Sequence, residues 1–143
     1  VALAPDCSNL TRATARKRIM KTVKDYMEEA DAVVPRISAQ EGIERHKAGN
    51  TVFIDVRDKT EIAESGTIAG AELITRGMLE FYADDSHPMH SPVMKKDADI
   101  VLICGAGGQA ALGGKTLKDM GFQNVSNVGG FSAWKDAGGP VQG

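Results

Sequence analysis

Two short runs constrain this chain more than anything else in it. Thr51-Val52-Phe53-Ile54-Asp55-Val56 and Ile100-Val101-Leu102-Ile103-Cys104 are almost unbroken apolar stretches of strand length, rich in β-branched residues. A strand with one wet face alternates apolar and polar residues, whereas one that is apolar on both sides must be covered on both. Both runs therefore read as inner strands of a sheet with helices on each face.

The remaining segments supply those helices. Ser38-Ala39-Gln40-Glu41 is a capping box opening a helix to about Ala48, which Gly49 ends. Asp58 to Glu61 signals a short helix to Ser65, stopped at Gly66, and residues 77–83 look helical. The polar stretch 84–97 holds two prolines and reads as a long loop. A helix is expected from the glycine-rich turn after Cys104 to Met120, and another over 131–137. Short strands are expected at 34–37, 71–74 and 124–128. Five short strands alternating with helices predict an α/β domain: a central parallel sheet of about five strands with helices on both faces.

Ahead of this pattern, residues 1–11 read as a loose lead-in. From 12 to 31, Ala15, Ile19, Val23 and Met27 recur at four-residue spacing, with Met20 and Tyr26 widening the stripe and Lys and Arg on the other face. The division is thus 1–34, a lead-in and extra N-terminal docking helix, and 35–143, the α/β domain. A chain of 143 residues holds one such core. Its net charge of -2 gives no electrostatic reason to expect nucleic acid or an anionic membrane as partner. No apolar run approaches the roughly 20 residues of a membrane helix, and no apolar h-region follows Val1 to Pro5, although Ala2-Leu3-Ala4 resembles what remains near a processing site. Cys7 and Cys104, the only cysteines, make no disulfide scaffold, so a reducing, cytoplasmic setting is the expectation.

Parallel sheets bind ligands beyond the carboxyl ends of their strands. The two apolar strands end at Asp55 and Cys104, and Cys104 runs into Gly105-Ala106-Gly107-Gly108-Gln109-Ala110 and then a helix. Glycines let the backbone curl with its N–H groups inward, and the helix N-terminus adds partial positive charge. That cradle favours a thiolate over a thiol and would bind a persulfide or an oxyanion bonded to the sulfur. The plainer alternative is a small apolar residue ending a buried strand; the position before a glycine loop favours function.

Other readings of the loop fail on spacing. It fits G-x-G-x-x-G/A, but that fingerprint belongs to the first strand of a larger fold with an acid at the end of the next strand, where this chain has Ser126, Asn127 and Val128. Gly114-Lys115-Thr116 suggests a P-loop, yet the required earlier glycine falls on Gln109. His46, His87 and His90 read as surface histidines without a third metal ligand, so neither metal nor cofactor is expected. Phe131 and Trp134 are at helical spacing and should pack in the core, with Phe131 close to the site.

These segments together resemble the rhodanese homology domain from about Arg36 to Val141. The motifs that carry the resemblance are Phe53-Ile54-Asp55-Val56-Arg57-Asp58, Glu64-Ser65-Gly66-Thr67-Ile68-Ala69-Gly70-Ala71, the cysteine loop with Ala111-Leu112, and Gly129-Gly130-Phe131-Ser132-Ala133-Trp134. Thr75-Arg76-Gly77-Met78-Leu79-Glu80-Phe81 is similar to one bacterial branch of the family. The resemblance implies a sulfurtransferase in which Cys104 takes sulfane sulfur from a donor such as thiosulfate, holds it as a persulfide on the loop amides, and passes it to cyanide or a thiol. Protein sulfur donors or acceptors also fit. It further implies an ion pair between Arg57 and Glu64 that ties the loop to the next helix. The chain departs from the family's habit at Thr67 and Ala69, where His and Pro are frequent, and at Gln109, where active members commonly carry Arg. A related CX5R phosphatase would need arginine at Ala110. With no cation in the loop, Arg76 is the expected partner of an anionic donor. Loss of the loop arginine keeps a non-catalytic rhodanese-like binding module as the alternative, and retention of Cys104 argues against it.

Overall fold

The computed structural model describes residues 20–143. The two apolar runs lie side by side in it. β1 (Thr51–Asp55) pairs in parallel with β4 (Asp99–Cys104), Thr51 opposite Asp99 and Asp55 opposite Ile103. β3 (Glu72–Leu73) adds to the far edge of β1, and β5 (Asn124–Gly130) to the other side of β4, giving the all-parallel order β3-β1-β4-β5. Strand parity then sorts the core. Ile100, Leu102 and Cys104 face one layer with Ile54 and Val56, while Val101 and Ile103 face the other with Phe53.

Helices cover both layers. Here α1 is Val23–Val33, α2 Ala39–Ala48, α3 Lys59–Ser65, α4 Leu79–Ala83, α5 Gly108–Asp119 and α6 Phe131–Asp136. Leu79 and Ala83 of α4 and Ala110 and Leu117 of α5 fill the Cys104 side, together with Val34 after α1. Ile43 of α2 and Phe131 and Trp134 of α6 fill the other. Among the described residues no helix is long and apolar enough to cross a membrane. A small antiparallel pair, β2 (Thr67–Ile68) with β6 (Val141–Gln142), binds the last residues to the loop after α3; strands of two residues are too short to carry a periodicity that would announce them.

Two expectations are corrected. The fifth strand at 34–37 shrinks to one parallel bridge, Arg36 to Asn127 at the outer edge of β5. Ile37 N–H donates to the Asn127 carbonyl and Asn127 N–H to that of Pro35, both at 2.9 Å. Pro35 has no N–H with which to lengthen the ladder. The stripe expected over 12–31 also shifts. Ala15 and Ile19 lie outside the described residues, and α1 opens at Thr22, whose hydroxyl accepts from Asp25 N–H while the Asp25 carboxylate accepts from Thr22 N–H. That backbone donation holds the Asp25 carboxyl below the usual range. Val23 is 72% exposed, whereas Ala30 and Val34 are buried. The contact is made at the C-terminal end of α1 because α5 is hollow there: a Cβ on Gly114 would stand 2.8 Å from Val34 Cγ1.

The capping box of α2 forms by half. Ser38 Oγ accepts from Glu41 N–H at 3.1 Å, but the Glu41 carboxylate turns to Arg45. Gly49, at φ +80°, ends the helix in the left-handed region.

If Gly114 admits Val34 between helix and sheet, Gly114→Leu overpacks that contact. We expect a loss of about 1–3 kcal/mol in urea unfolding, larger than the up to ~1 kcal/mol that leaving glycine returns to a helix. An unchanged midpoint would mean that α1 and Val34 are not seated on α5.

Candidate active site

Cys104 is the last residue of β4, one position beyond the end of β1, and it pairs with Gly130 on β5. Gly107, at φ +95°, is the N-cap of α5, and this turn swings the backbone over the sulfur. Cys104 Sγ accepts N–H bonds from Gly107 at 3.0 Å and Ala110 at 3.4 Å. Two amides and the N-terminus of α5 thus converge on one sulfur, a cradle of donors with no acceptor of its own.

The loop is braced from behind. Asn127, buried in β5, donates Nδ2–H to the Gly107 carbonyl at 2.9 Å, and its Oδ1 accepts from Gly129 N–H at 2.8 Å. Gly130 lies against the Gly105 carbonyl so closely that any side chain there would strike it. Cys104 itself is 1% exposed and belongs to the core layer of Leu102 and Ala110. The sulfur therefore lies beneath the loop. Gly105, Ala106 and Gln109 face solvent, and a Cβ on Gly105 or Gly108 would meet nothing within 4 Å, so the outer face of the loop is open.

The expected site residues fall into two groups. Gly105, Ala106, Gly107, Gly108, Gln109 and Ala110 form one turn around the sulfur, with the 107 and 110 amides bonded to it. Gln109 makes no side-chain hydrogen bond among the described residues. Arg76 is committed elsewhere: Nη1 donates to Glu80 at 2.8 Å and Nη2 to Thr116 at 3.0 Å, with its Cδ against Gly113, at least one turn along α5 from the loop.

The ion pair of Arg57 differs from the one implied by the resemblance. Arg57 folds back onto Asp55, with Nη2–H to Oδ2 at 2.8 Å and Nε–H reaching both carboxylate oxygens. Glu64 stays exposed. The reason is burial: Asp55 is 0% exposed, and a carboxylate withdrawn from water needs a charged partner. Thr67, where the family often has His, donates its hydroxyl to the same carboxylate at 2.7 Å. Arg57 also holds Ser65 Oγ and the Gly66 carbonyl and lies 4.6 Å over the Phe131 ring. Phe131 is thus a lid on Arg57. The histidines are structural contacts: half-buried His46 packs between Phe53 and Trp134 with Nε2 2.7 Å from the Ala69 carbonyl, and His90 Nε2 is 3.2 Å from that of Met94. His46 is a correction to the surface reading, caused by the aromatic pair beside it.

Asn127 and Gly130 escaped sequence reasoning as site residues. Their signal is a buried-strand asparagine two residues before a glycine pair, which has few reasons to exist other than bonding to backbone.

The family model of the rhodanese-like domain matches residues 38–137. The mitochondrial protein HIGH ARSENIC CONTENT 1 of Arabidopsis thaliana is 30% identical over 94 residues, 60% of this chain and 53% of that protein. The chain spans about half the length of that curated relative. A solved protein of Rhodopseudomonas palustris, described as of unknown function and a possible tyrosine phosphatase, superposes with TM-score 0.81 at 38% identity over 86% of this chain and 96% of its own. The polysulfide-sulfur transferase of Wolinella succinogenes superposes with TM-score 0.66 at 27% identity over 81% and 83%.

Arg57→Met leaves the Asp55 carboxylate buried without its cation, and about 3–5 kcal/mol should be lost in urea unfolding. Asp55→Leu added to Arg57→Met should restore most of it. A single variant as stable as the wild type would refute the clamp.

Proposed function

The chain belongs to the rhodanese-like domain family, and from that premise we propose that it is a sulfurtransferase carrying sulfane sulfur on Cys104. The observation that carries the reading is the sulfur at the end of β4 accepting two loop amides. The Cys104 thiolate attacks the outer sulfur of a donor. With thiosulfate, the S–S bond breaks, sulfite leaves with the bonding pair, and a cysteine persulfide anion remains. Cyanide or a thiolate acceptor then takes the outer sulfur, and the thiolate returns. Each half is a displacement at sulfur, so covalent catalysis splits one transfer into two balanced steps. The Gly107 and Ala110 N–H groups already point at the sulfur that attacks and that later leaves, so they need no reorganisation at those steps.

The rival is a rhodanese-like module that binds a partner without turnover, favoured by the neutral Gln109 and the covered sulfur. A phosphatase of the CX5R type is disfavoured because Ala110 occupies the arginine position.

Incubation with thiosulfate, desalting and intact-mass measurement decides between the first two. The wild type should gain the mass of one sulfur atom and Cys104→Ser none; absence of the gain with any sulfane donor would end the catalytic reading. Gly107→Ala should lose most of the loading. The left-handed conformation costs a side chain about 1–2 kcal/mol, and the amide that reaches the sulfur moves with it. Full loading by Gly107→Ala would show that the loop geometry does not matter to transfer.

A further inference from the structure

The loop lacks a cation of its own, but an arginine reaches it from outside the motif. Arg36 sits on the bridge to Asn127, the residue that braces Gly107. Its Nη1 lies 2.9 Å from the position a Gly107 Cβ would take. Gly107 N–H is in turn 3.0 Å from Cys104 Sγ. Following these contacts, the guanidinium is at most about 9 Å from the sulfur.

Its hydrogen-bonding state differs from that of the other arginines among the described residues. Arg57 is saturated in its clamp, Arg45 is bound to Asp99 and Glu41, and both Nη groups of Arg76 are occupied. Arg36 gives only Nε–H, to Asp31 at 3.3 Å, and its Nη1 and Nη2 have no acceptor among the described residues. The Nη1–Nη2 edge is a planar fork suited to two oxygens of one anion. The guanidinium is about half exposed, so a ligand can reach it.

We propose that Arg36 is the donor-selecting residue, holding the oxyanion end of an anionic sulfur donor while its sulfane sulfur meets Cys104. This rests on the sulfurtransferase reading and names its substrate class: donors with an oxyanion bonded directly to the transferable sulfur, thiosulfate or a thiosulfonate. Within that limit, contacts of about 3 Å at each end leave at most about 3 Å for the donor, the reach of one S–S bond with its oxygens. Arg36 would thus do from the edge of β5 what an arginine at position 109 would do from the loop.

The test compares Cys104 loading rates by intact mass for thiosulfate and an alkyl hydropersulfide, a sulfane donor with no oxyanion, in wild type and Arg36→Gln. A hydrogen bond to a charged group amounts to tenfold or more in rate. We expect the thiosulfate-to-hydropersulfide ratio to fall about tenfold in Arg36→Gln. In the wild type that ratio should also shrink as salt screens the contact. An unchanged ratio, or an equal fall with both donors, overturns the proposal. A second readout does not need sulfur transfer. Sulfate should slow iodoacetamide alkylation of Cys104 in the wild type, against chloride of equal ionic strength, and not in Arg36→Gln. If the wild type takes sulfur from neither donor, the sulfurtransferase reading falls, and sulfate protection still decides whether Arg36 holds an anion at the loop. Equal protection in both proteins refutes it.

Discussion

From Ile100 to Cys104, β4 is withdrawn from solvent on both faces, and most of the molecule follows from the need to keep it so. Each buried aliphatic side chain there contributes roughly 1.5–3 kcal/mol relative to exposure. The contribution is realised only if helices lie on both faces and strands on both edges. Parity then fixes the chemistry. Ile100, Leu102 and Cys104 point to the same layer, so the cysteine is delivered to the side from which α5 starts. A slip of one residue would send it to the opposite layer, with Phe53 and Trp134, and away from the helix N-terminus.

The end of β1, one residue short of Cys104, solves a different problem. Asp55 and Arg57 form a buried pair whose net contribution to stability is small, because desolvation offsets attraction. Its geometry is what matters. The guanidinium fixes Ser65 and Gly66 at the end of α3 and lies on Phe131 at the start of α6. Gly130, next to Phe131, is the wall against which the cysteine loop rests. One buried charge pair thereby connects the carboxyl ends of β1 and β5 on either side of the strand that bears the sulfur.

What could be read in the sequence is what depends on neighbours along the chain. The inner strands, their helices, Cys104 and its glycine turn are all local patterns of burial or backbone freedom. Strand 34–37 looked regular by composition, yet Pro35 reduced it to a single bridge because ladder length depends on donors facing a partner. Four-residue spacing runs the stripe of α1 through Val23, but the helix is seated by a glycine far along the chain, Gly114, which no periodicity within α1 encodes. The family resemblance implies Glu64 as the partner of Arg57, while the burial of Asp55 decides the choice. The placement of Arg36 is not legible for the same reason: only the parallel bridge to Asn127 brings residue 36 beside residue 107.

That last placement bears on why the loop can carry glutamine where related loops carry arginine. Two N–H dipoles and a helix terminus equivalent to about half an elementary charge are all the positive character the loop itself offers. They do not suffice for a dianionic donor brought against an already anionic thiolate, whose mutual repulsion grows as water is excluded. A full positive charge must then be supplied within a donor's length of the sulfur, but its point of attachment to the chain is unconstrained. Placing it on the edge of β5 leaves the loop short, uncharged and tightly wound over Cys104. It also makes the charge exposed and paired at Nε with Asp31, so its hold on a donor is weaker in salt than that of a cation enclosed within the loop. On the proposed reading, the loop's amides would serve the sulfur itself and Arg36 would act only while an oxyanion is present, which would separate holding the persulfide from choosing its source.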